Sequence, residues 1–413
     1  MQYPVIAYAL SKQLGDLMTA DKPLRILVVD DSTLYRKTVM EILAGIPIVR
    51  IVGSASTGRM ALRQINSLRP DLLILDVEMP EMNGLEVLEY IAQHDIPVGA
   101  IMLSSFTNRG SQMTLRALEL GAFDFITKPL TGDIELNRRA IKDCLVPMLI
   151  AFDRHLKIRQ SLGGSPVAQR KSRAANIPAA PAVFPINQTD LYEREIKIVV
   201  IGISTGGPQA LARLVREIPP QLGVPIAIVQ HMPPIFTREL ANRLDSQSGL
   251  SVKEAEDGES VLPNTIYLAP GGRQMKIVNN TGNDTKHISI TDDLPENNYK
   301  PSANYLFRSV ADLYGRHAIG VIMTGMGSDG MLGLRLMKRQ GATIIAQDQK
   351  TCVVYGMPRG PIEAGIVDAV VPLHKIAQAI CDIMQWTPKK NTLSLLGIEK
   401  RFSRQANCIS DER

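Results

Sequence analysis

Residues 198–211 read IVVIGISTGGPQAL, and this stretch decides the fold of the second half of the chain. Five apolar residues lead into a glycine-rich turn, and an apolar-periodic segment follows from Pro208. The change from a continuous apolar run to a helical period predicts a buried strand, a tight turn and a helix. Proline suits the first helical turn, where its missing N–H would have no partner anyway. Ser204 therefore stands at a strand-to-helix corner.

A corner of this kind suits a nucleophilic serine. Glycines on both sides allow the close approach of a substrate carbonyl, and free N–H groups at the helix start can stabilise a developing oxyanion. Residues Gly202 to Gly206 also match the G-x-S-x-G pattern of a nucleophile elbow. The same corner can instead cradle a phosphate or simply form a turn. The nucleophile interpretation requires a general base and an orienting acid as partners for Ser204.

Two later segments supply candidate partners. The buried-strand pattern of residues 224–230 ends at His231, in the position of a general base. The strand pattern of residues 318–323 leads to a glycine-rich loop with Asp329, which would orient the imidazole and stabilise its charged form. The alternatives are a hydrogen-bonded loop histidine and a helix-capping aspartate. Because all three residues follow strands, we expect them at one edge of the sheet.

The first half alternates short apolar strands with amphipathic segments from Leu24 onward. This rhythm predicts parallel strands joined by crossover helices, in which ligands gather at the carboxyl ends of the strands. Polar residues stand at those ends: Asp30, Asp31, Asp76, Ser104, Ser105 and Lys128.

Three carboxylates at one sheet edge repel one another unless a cation neutralises them, and Mg²⁺ is the natural choice. We expect Asp76 to accept a phosphoryl group, with Lys128 and Ser104 on the phosphoryl oxygens. The expected Mg²⁺ ligands are Asp30, Asp31, Asp76 and the backbone carbonyl of Glu78. For any one of these residues a helix cap or a surface charge is the alternative.

The composition is that of an ordinary globular protein. With 413 residues, 45% apolar and 21% charged, the chain is long enough for two domains and a linker. A net charge of +5 does not indicate nucleic-acid binding. The four cysteines form no C-x-x-C pair, so neither a zinc site nor a disulfide framework is expected. Without a membrane-spanning run or an export signal, we expect a cytoplasmic protein.

Composition shifts divide the chain into five parts. The basic, proline- and alanine-rich middle predicts a flexible tether. The expected parts are an N-terminal extension at 1–23, an α/β domain at 24–145, a linker at 146–195, a second α/β domain at 196–386 and a tail at 387–413.

Other functions of the second half fit the sequence less well. A nucleic-acid-binding domain would need a helix-turn-helix or a concentrated basic face, and neither is seen. A nucleotide-binding domain would need a Walker lysine or an acidic ribose partner, and both are missing. A non-catalytic scaffold would leave Ser204, His231 and Asp329 beyond hydrogen-bonding distance.

The motifs VVDDS, LDVEMPEMNG, LSS and TKP give residues 24 to about 145 a clear resemblance to response-regulator receiver domains. The resemblance implies a flavodoxin-like α/β fold and an aspartyl phosphate at Asp76, donated by a chemotaxis histidine kinase with Mg²⁺ as the cofactor. It also implies a cis bond at Lys128–Pro129.

A second set of motifs comprises GISTGGP, QHMP, YLAPGGRQM, KPSANYLFRSVA, MTGMGSDGMLG and VVYGMPRGPIEAG. These resemble the catalytic domain of the chemotaxis protein-glutamate methylesterases, which implies a doubly wound, mostly parallel, Rossmann-like sheet. By position, Ser204 is the nucleophile, His231 the base and Asp329 the orienting acid. The implied oxyanion donors are the backbone N–H groups of Thr205, Met326 and Gly327. Gln274 and Asn304 replace a usual histidine and aspartate, which puts fine substrate contacts in doubt.

The two resemblances together imply a phosphorylation-activated serine hydrolase. It would demethylate glutamate methyl esters on the cytoplasmic region of chemoreceptors, release methanol, and deamidate receptor glutamines. The unphosphorylated receiver would inhibit by covering the catalytic cleft. The esterase chemistry would need no cofactor, and nucleic acid is not an expected partner.

Overall fold

The protein is represented by a computed structural model, which describes residues 22–129, 131–161, 195–279, 285–296 and 298–385. Residues 1–21 of the expected extension, residues 162–194 of the expected linker and the whole expected tail lie outside the described residues. We call residues 22–161 the first half and residues 195–385 the second half.

The first half is a five-stranded parallel sheet with the strand order β2-β1-β3-β4-β5. Each strand is followed by a helix, as the alternating pattern predicts. The strands are β1 (Leu24–Val29), β2 (Val49–Ala55), β3 (Leu72–Asp76), β4 (Gly99–Ser104) and β5 (Asp124–Thr127). The helices are α1 (Thr33–Ala44), α2 (Gly58–Leu68), α3 (Gly84–Gln93), α4 (Asn108–Glu119) and α5 (Ile134–Ser161).

The second half contains a seven-stranded sheet with the order β14-β13-β12-β6-β7-β9-β8, in which every pair is parallel. A two-stranded antiparallel ribbon, β10 with β11, lies beside it. The strands are β6 (Ile198–Ile203), β7 (Ile226–Gln230), β8 (Ser251–Glu254), β9 (Thr265–Leu268), β10 (Gln274–Asn279), β11 (Lys286–Thr291), β12 (Ala318–Ile322), β13 (Thr343–Gln347) and β14 (Ala369–Val371). The helices are α6 (Gly207–Glu217), α7 (Phe236–Asp245), α8 (Ala303–Tyr314), α9 (Met331–Arg339), α10 (Arg359–Glu363) and α11 (Ile376–Gln385).

The central strands explain why the apolar runs form this sheet. Every residue of β6, β7, β12 and β13 is buried, because helices cover both faces. Continuous apolar runs suit such strands, whereas a strand with one wet face alternates. The predicted pair of α/β folds, with a mostly parallel second sheet, is confirmed.

Helix α5 runs past the expected domain boundary at residue 145. Leu149 and Phe152 are buried, and the Phe152 ring packs edge-on against Phe123 with centroids 5.2 Å apart. Basic residues on the exposed side of α5 made residues 146–161 look like a linker, but the apolar side of the helix belongs to the core of the first half.

No helix among the described residues combines the length and the apolar character needed to cross a bilayer.

Candidate active site and phosphorylation site

Ser204 and His231 leave neighbouring strands at the same edge of the second sheet. Ser204 follows β6 and His231 follows β7, and these strands pair with Ile203 opposite Gln230. The His231 backbone N–H donates to the carbonyl oxygen of Ile203 over 3.2 Å. The separation of the two residues is thus set by the spacing of paired strands, about 4.8 Å.

Hydrogen bonds from two directions fix the turn that carries Ser204. The Ser204 N–H donates to the carbonyl of Thr324, and the buried Gln230 side chain donates to the carbonyl of Ser204, each over 3.0 Å. The hydroxyl of Thr324 donates to the carbonyl of Thr205, also over 3.0 Å. Gly206 has φ +77° before α6 begins, a conformation that favours glycine. The turn is therefore held by the ends of both strands that flank β6.

His231 pairs with Asp329 through its Nε2 atom. Nε2 lies 2.8 Å from Oδ2 of Asp329, and the two side chains are 10% and 0% exposed. The other ring nitrogen, Nδ1, is buried and has no hydrogen-bond partner among the described residues. Since Asp329 engages Nε2, Nδ1 is the nitrogen that is free to accept a proton from Ser204. The expectation that Ser204, His231 and Asp329 all lie within hydrogen-bonding distance is therefore met only for His231 and Asp329, since Nδ1 is not bonded to Ser204 in this structure.

The carboxylate of Asp329 sits at the N-terminus of α8 rather than capping the helix that follows it. Its other donors are the Ser302 hydroxyl (2.9 Å) and the N–H groups of Ala303 (2.6 Å), Asn304 (3.1 Å) and Gly330 (2.9 Å). Burial raises the pKa of Asp329, but the hydrogen bond and charge of His231 and the α8 N–H groups outweigh burial and hold that pKa below its ordinary value. An ionised Asp329 can therefore stabilise a charged imidazole.

The implied oxyanion donors, the backbone N–H groups of Thr205, Met326 and Gly327, have no acceptor among the described residues. A β-carbon at Gly325 would lie 2.8 Å from the β-carbon of Ser204, so this glycine turn packs directly against the serine. Gly327 has φ +81°. These N–H groups, on the residue after Ser204 and in the turn that begins at Gly325, are candidate donors for an oxygen that gains negative charge.

Sequence reasoning missed Tyr299, whose ring stacks on His231 with centroids 4.2 Å apart and planes at 16°. It lies on a polar segment between β11 and α8, where no periodic signal marks it.

Gln274 and Asn304, the two departures from the family pattern, are both buried and bonded within the protein. The Gln274 Oε1 accepts from Ser302 N–H over 2.9 Å, and Asn304 Oδ1 accepts from Gly333 N–H over 2.9 Å.

In the first half, the structure brings the carboxylates and Lys128 together. Lys128 Nζ lies 2.9 Å from Oδ2 of Asp30 and 2.7 Å from Oδ2 of Asp76. Carboxylate oxygens of Asp30, Asp31 and Asp76 lie within 4.8 Å of one another. Asp31 is exposed and the other two are buried. Hard oxygen donors at this spacing fit Mg²⁺.

Burial is the main cause that raises the pKa of Asp76, to about 6, and it also raises the pKa of Asp30. The charge of Lys128 opposes both shifts. A divalent cation would favour the ionised carboxylates further, as a nucleophilic Asp76 requires.

The Ser104 carbonyl accepts from the Lys128 N–H over 2.7 Å, but no hydrogen bond joins the Ser104 hydroxyl to the Lys128 ammonium or the Asp76 carboxylate. The buried Ser104 hydroxyl lies 3.3 Å from the carbonyl of Gly110 and accepts from Thr114 over 2.7 Å. The next residue, Ser105, donates to the carboxylate of Glu78 instead. The Glu78 N–H donates to Asp76 Oδ1 over 3.4 Å, which places the Glu78 backbone beside the nucleophile.

Among the described residues the cis peptide bond is Lys300–Pro301, so the cis bond implied at Lys128–Pro129 is not found. Nothing in the surrounding contacts accounts for this difference.

The first half packs against the turn that carries Ser204. Asp124, at the start of β5, accepts from the Thr205 hydroxyl over 2.6 Å. The rings of Phe125 and Phe236 stack with centroids 4.6 Å apart. Helix α4 contacts α7 through an ion pair in which Nε and Nη2 of Arg243 donate to the two carboxylate oxygens of Glu119. The residue that follows the candidate nucleophile is therefore bonded to the other half of the molecule.

Comparison with known proteins agrees with both halves. The family model for the CheB methylesterase matches residues 199–380, and that for the response regulator receiver domain matches residues 26–139. A protein-glutamate methylesterase/protein-glutamine glutaminase of Desulfotalea psychrophila is 47% identical over 87% of this chain and 98% of its own length. A protein of the same name from Bacillus subtilis is 40% identical over 86% of this chain and 97% of its own length.

Solved structures align with single halves. The catalytic domain of the Thermotoga maritima CheB methylesterase is 43% identical, covering 46% of this chain and 99% of that one with a TM-score of 0.44. The response regulator domain of Thermotoga maritima CheB is 38% identical, covering 35% of this chain and 100% of that one with a TM-score of 0.28. The identity to full-length relatives, spread over both halves, is what assigns the family: the chain belongs to the CheB methylesterases that carry a response regulator receiver domain ahead of the catalytic domain.

Proposed function

We propose that this protein hydrolyses glutamate methyl esters on chemoreceptors, and converts receptor glutamines to glutamates, with Ser204 as nucleophile. The observation that carries the proposal is the pairing of His231 Nε2 with Asp329 beside the Ser204 turn, with Nδ1 left unpartnered. A carbonyl placed at Ser204 would meet a nucleophile, a base and free N–H donors together.

The proposed reaction has two stages. Ser204 Oγ attacks the ester carbonyl while His231 Nδ1 takes its proton, and the imidazolium is stabilised by Asp329. The oxyanion is held by the N–H groups of Thr205, Met326 and Gly327. His231 then gives its proton to the methoxy oxygen as the bond from that oxygen to the acyl carbon breaks, and methanol leaves. Water, deprotonated by His231, attacks the acyl-serine and releases the glutamate carboxylate; for a glutamine the first leaving group is ammonia.

Phosphorylation of the receiver domain would take place at Asp76, with phosphate from a chemotaxis histidine kinase. Asp30, Asp31, Asp76 and the carbonyl of Glu78 would hold Mg²⁺, which would neutralise charge on the phosphoryl oxygens. Lys128 already contacts Asp76 and would bind one phosphoryl oxygen. Ser104 would bind another after its hydroxyl turns away from Gly110.

We further propose that the unphosphorylated receiver domain inhibits the esterase through its contacts with Thr205, Phe236 and Arg243. Phosphorylation adds about −1.5 to −2 charge units, which would bias the two domains apart. A coupling free energy of about 1 to 3 kcal/mol corresponds to about 5- to 150-fold activation. With α5 ending at Ser161, we propose a receiver domain of residues 24–161 and a catalytic domain of residues 196–385.

Methanol release from methylated receptor membranes tests the function directly. We expect turnover by the full chain, raised by a small phosphodonor such as phosphoramidate. Because members of such a triad act as a unit, Ser204→Ala and His231→Ala should each lose about four to six decades of turnover. An exposed receiver variant, Asp143→Asn, serves as the control. Near-normal turnover in Ser204→Ala would exclude the serine mechanism.

A further inference from the structure

Hydrogen bonds fix the backbone of Tyr299, although this residue lies on a polar segment outside the sheet. Its N–H donates to the carbonyl of Glu296 over 2.9 Å, and its own carbonyl accepts from Glu296 N–H over 3.1 Å. That carbonyl also accepts from Nε2 of the buried Gln274 over 3.1 Å. The same Gln274 side chain binds Ser302, which in turn donates to Asp329. The backbone of Tyr299 is therefore tied to the residues that hold Asp329.

The ring of Tyr299 covers one face of the His231 imidazole. The near-parallel planes, at 16° with centroids 4.2 Å apart, are those of a stacked pair. A hydrogen bond from Nε2 to Asp329 fixes one in-plane direction of the imidazole but leaves the ring free to rotate about that bond. A fixed aromatic surface against the ring face removes this remaining freedom.

Tyr299 also lies against the glycine turn beside Ser204. A β-carbon at Gly327 would overlap the Tyr299 hydroxyl, so the phenol reaches the turn that supplies the proposed oxyanion donors. Burial, and secondarily the charge of Asp329, raise the pKa of Tyr299 above its ordinary value. The side chain therefore stays neutral and can stack on a charged or a neutral imidazole.

We propose that Tyr299 is a positioning residue, whose ring holds the imidazole of His231 in the plane that aims Nδ1 at Ser204. The inference rests on the proposed role of His231 as the base. Misplacement of a catalytic group by about 1 Å costs about 100-fold in rate, so loss of the ring should act mainly on kcat.

The test compares two substitutions in the full chain activated by a small phosphodonor. Tyr299→Leu should lower kcat for methanol release about 10- to 100-fold and leave KM within about threefold. Tyr299→Phe keeps the stacking face and should return kcat to within about threefold of the original. The matched control is Tyr90→Leu, since Tyr90 stacks on His94 in the receiver domain with centroids 3.8 Å apart and should leave kcat unchanged.

A second readout does not depend on turnover. In the ¹⁵N spectrum of histidine-labelled protein, His231 should show the proton on Nε2 in the original and in Tyr299→Phe, and averaged nitrogen shifts in Tyr299→Leu. Unfolding temperatures of the variants show whether a loss of activity reflects loss of fold. An unchanged kcat and unchanged spectrum in Tyr299→Leu would overturn the proposal, as would equal losses in the Leu and Phe variants. Turnover that survives Ser204→Ala would instead overturn the proposed function.

Discussion

Asp329 accepts five hydrogen bonds on one buried carboxylate, from His231, the Ser302 hydroxyl and three backbone N–H groups. This residue therefore has two tasks, to orient the imidazole and to hold the start of α8. An ionised carboxylate can perform both because all its lone pairs are acceptors.

We predict that Asp329→Asn lowers kcat about 10⁴-fold. An amide NH₂ that donates to Nε2 would force the imidazole proton onto Nδ1, the nitrogen that should accept a proton from Ser204. The unfolding temperature should fall as well, because the amide NH₂ would face N–H donors of α8. Methanol release and thermal unfolding measure the two effects. Asp312→Asn, an exposed change on α8, is the matched control and should alter neither. Full activity in Asp329→Asn would remove the residue from the mechanism.

The sequence located the individual residues that follow strands, because the end of an apolar run marks the end of a strand. Ser204, His231 and Asp329 were found in this way. Tyr299 and Gln230 were not, because a stacking contact and a buried amide leave no periodic mark. The orientation of Ser104 also escaped prediction, since sequence cannot tell which neighbour a strand-end hydroxyl will bind.

Among the elements, α4 of the receiver domain and α7 of the catalytic domain are joined by an ion pair. The pair between Arg243 and Glu119 is about three quarters buried on both side chains, and Nε and Nη2 of Arg243 both take part. Burial lessens screening by solvent, so such a bidentate pair contributes more than an exposed one.

We predict that Arg243→Gln raises the activity of the unphosphorylated protein about three- to tenfold, because it weakens the contact that holds the domains together. The phosphorylated protein should change little, so the ratio of the two activities is the measurement. Arg238→Gln lies on the same helix but breaks a pair with Glu254 inside the catalytic domain. It should leave the ratio unchanged; a ratio that also stays constant in Arg243→Gln would show that α7 does not transmit inhibition.

The central strands followed from the apolar pattern, whereas the edge strand β8 and the length of α5 did not. Strands β3 and β6 are continuous apolar runs, but β8 reads SVKE and carries no such signal. The end of α5 carries basic residues on one side and core residues on the other, and the linker expectation rested on charge and on the proline- and alanine-rich composition that follows. A check for helical spacing at Leu149 and Phe152 would have corrected it.

For the whole molecule, the contacts between domains predict that the receiver domain lowers the activity it accompanies. Residues 195–413 expressed alone should hydrolyse receptor methyl esters about 5- to 150-fold faster than the unphosphorylated full chain. A phosphodonor should activate the full chain and leave the shorter protein unchanged. Equal activities of the two unphosphorylated proteins would refute inhibition by domain contact.

The activity ratio of the shorter protein to the full chain should also depend on pH, through the ionisation of Asp124. Burial raises the pKa of Asp124 to about 6, although hydrogen bonds from Thr205 and the Phe125 N–H oppose the shift. If the catalytic domain supplies the burial that raises this pKa, docking is strongest below pH 4 and weakens as pH rises through about 6. We expect the activity ratio of the shorter protein to the full chain to fall between pH 5 and 7.5.

Asp124→Asn should remove this part of the pH dependence, since an amide stays neutral throughout. Asp143→Asn, at an exposed position of the receiver domain, is the control and should keep it. A ratio that falls equally with pH in all three proteins would assign the effect to other groups.

The adjacency of β6 and β7 has a consequence for protein engineering. Backbone pairing, rather than side-chain fit, spaces the serine from the histidine. Many core side chains can then be substituted without altering the distance between the serine and the histidine. A designer who wished to transplant this chemistry would need two adjoining strand tips and one helix start to receive the acid, and could discard the surrounding loops.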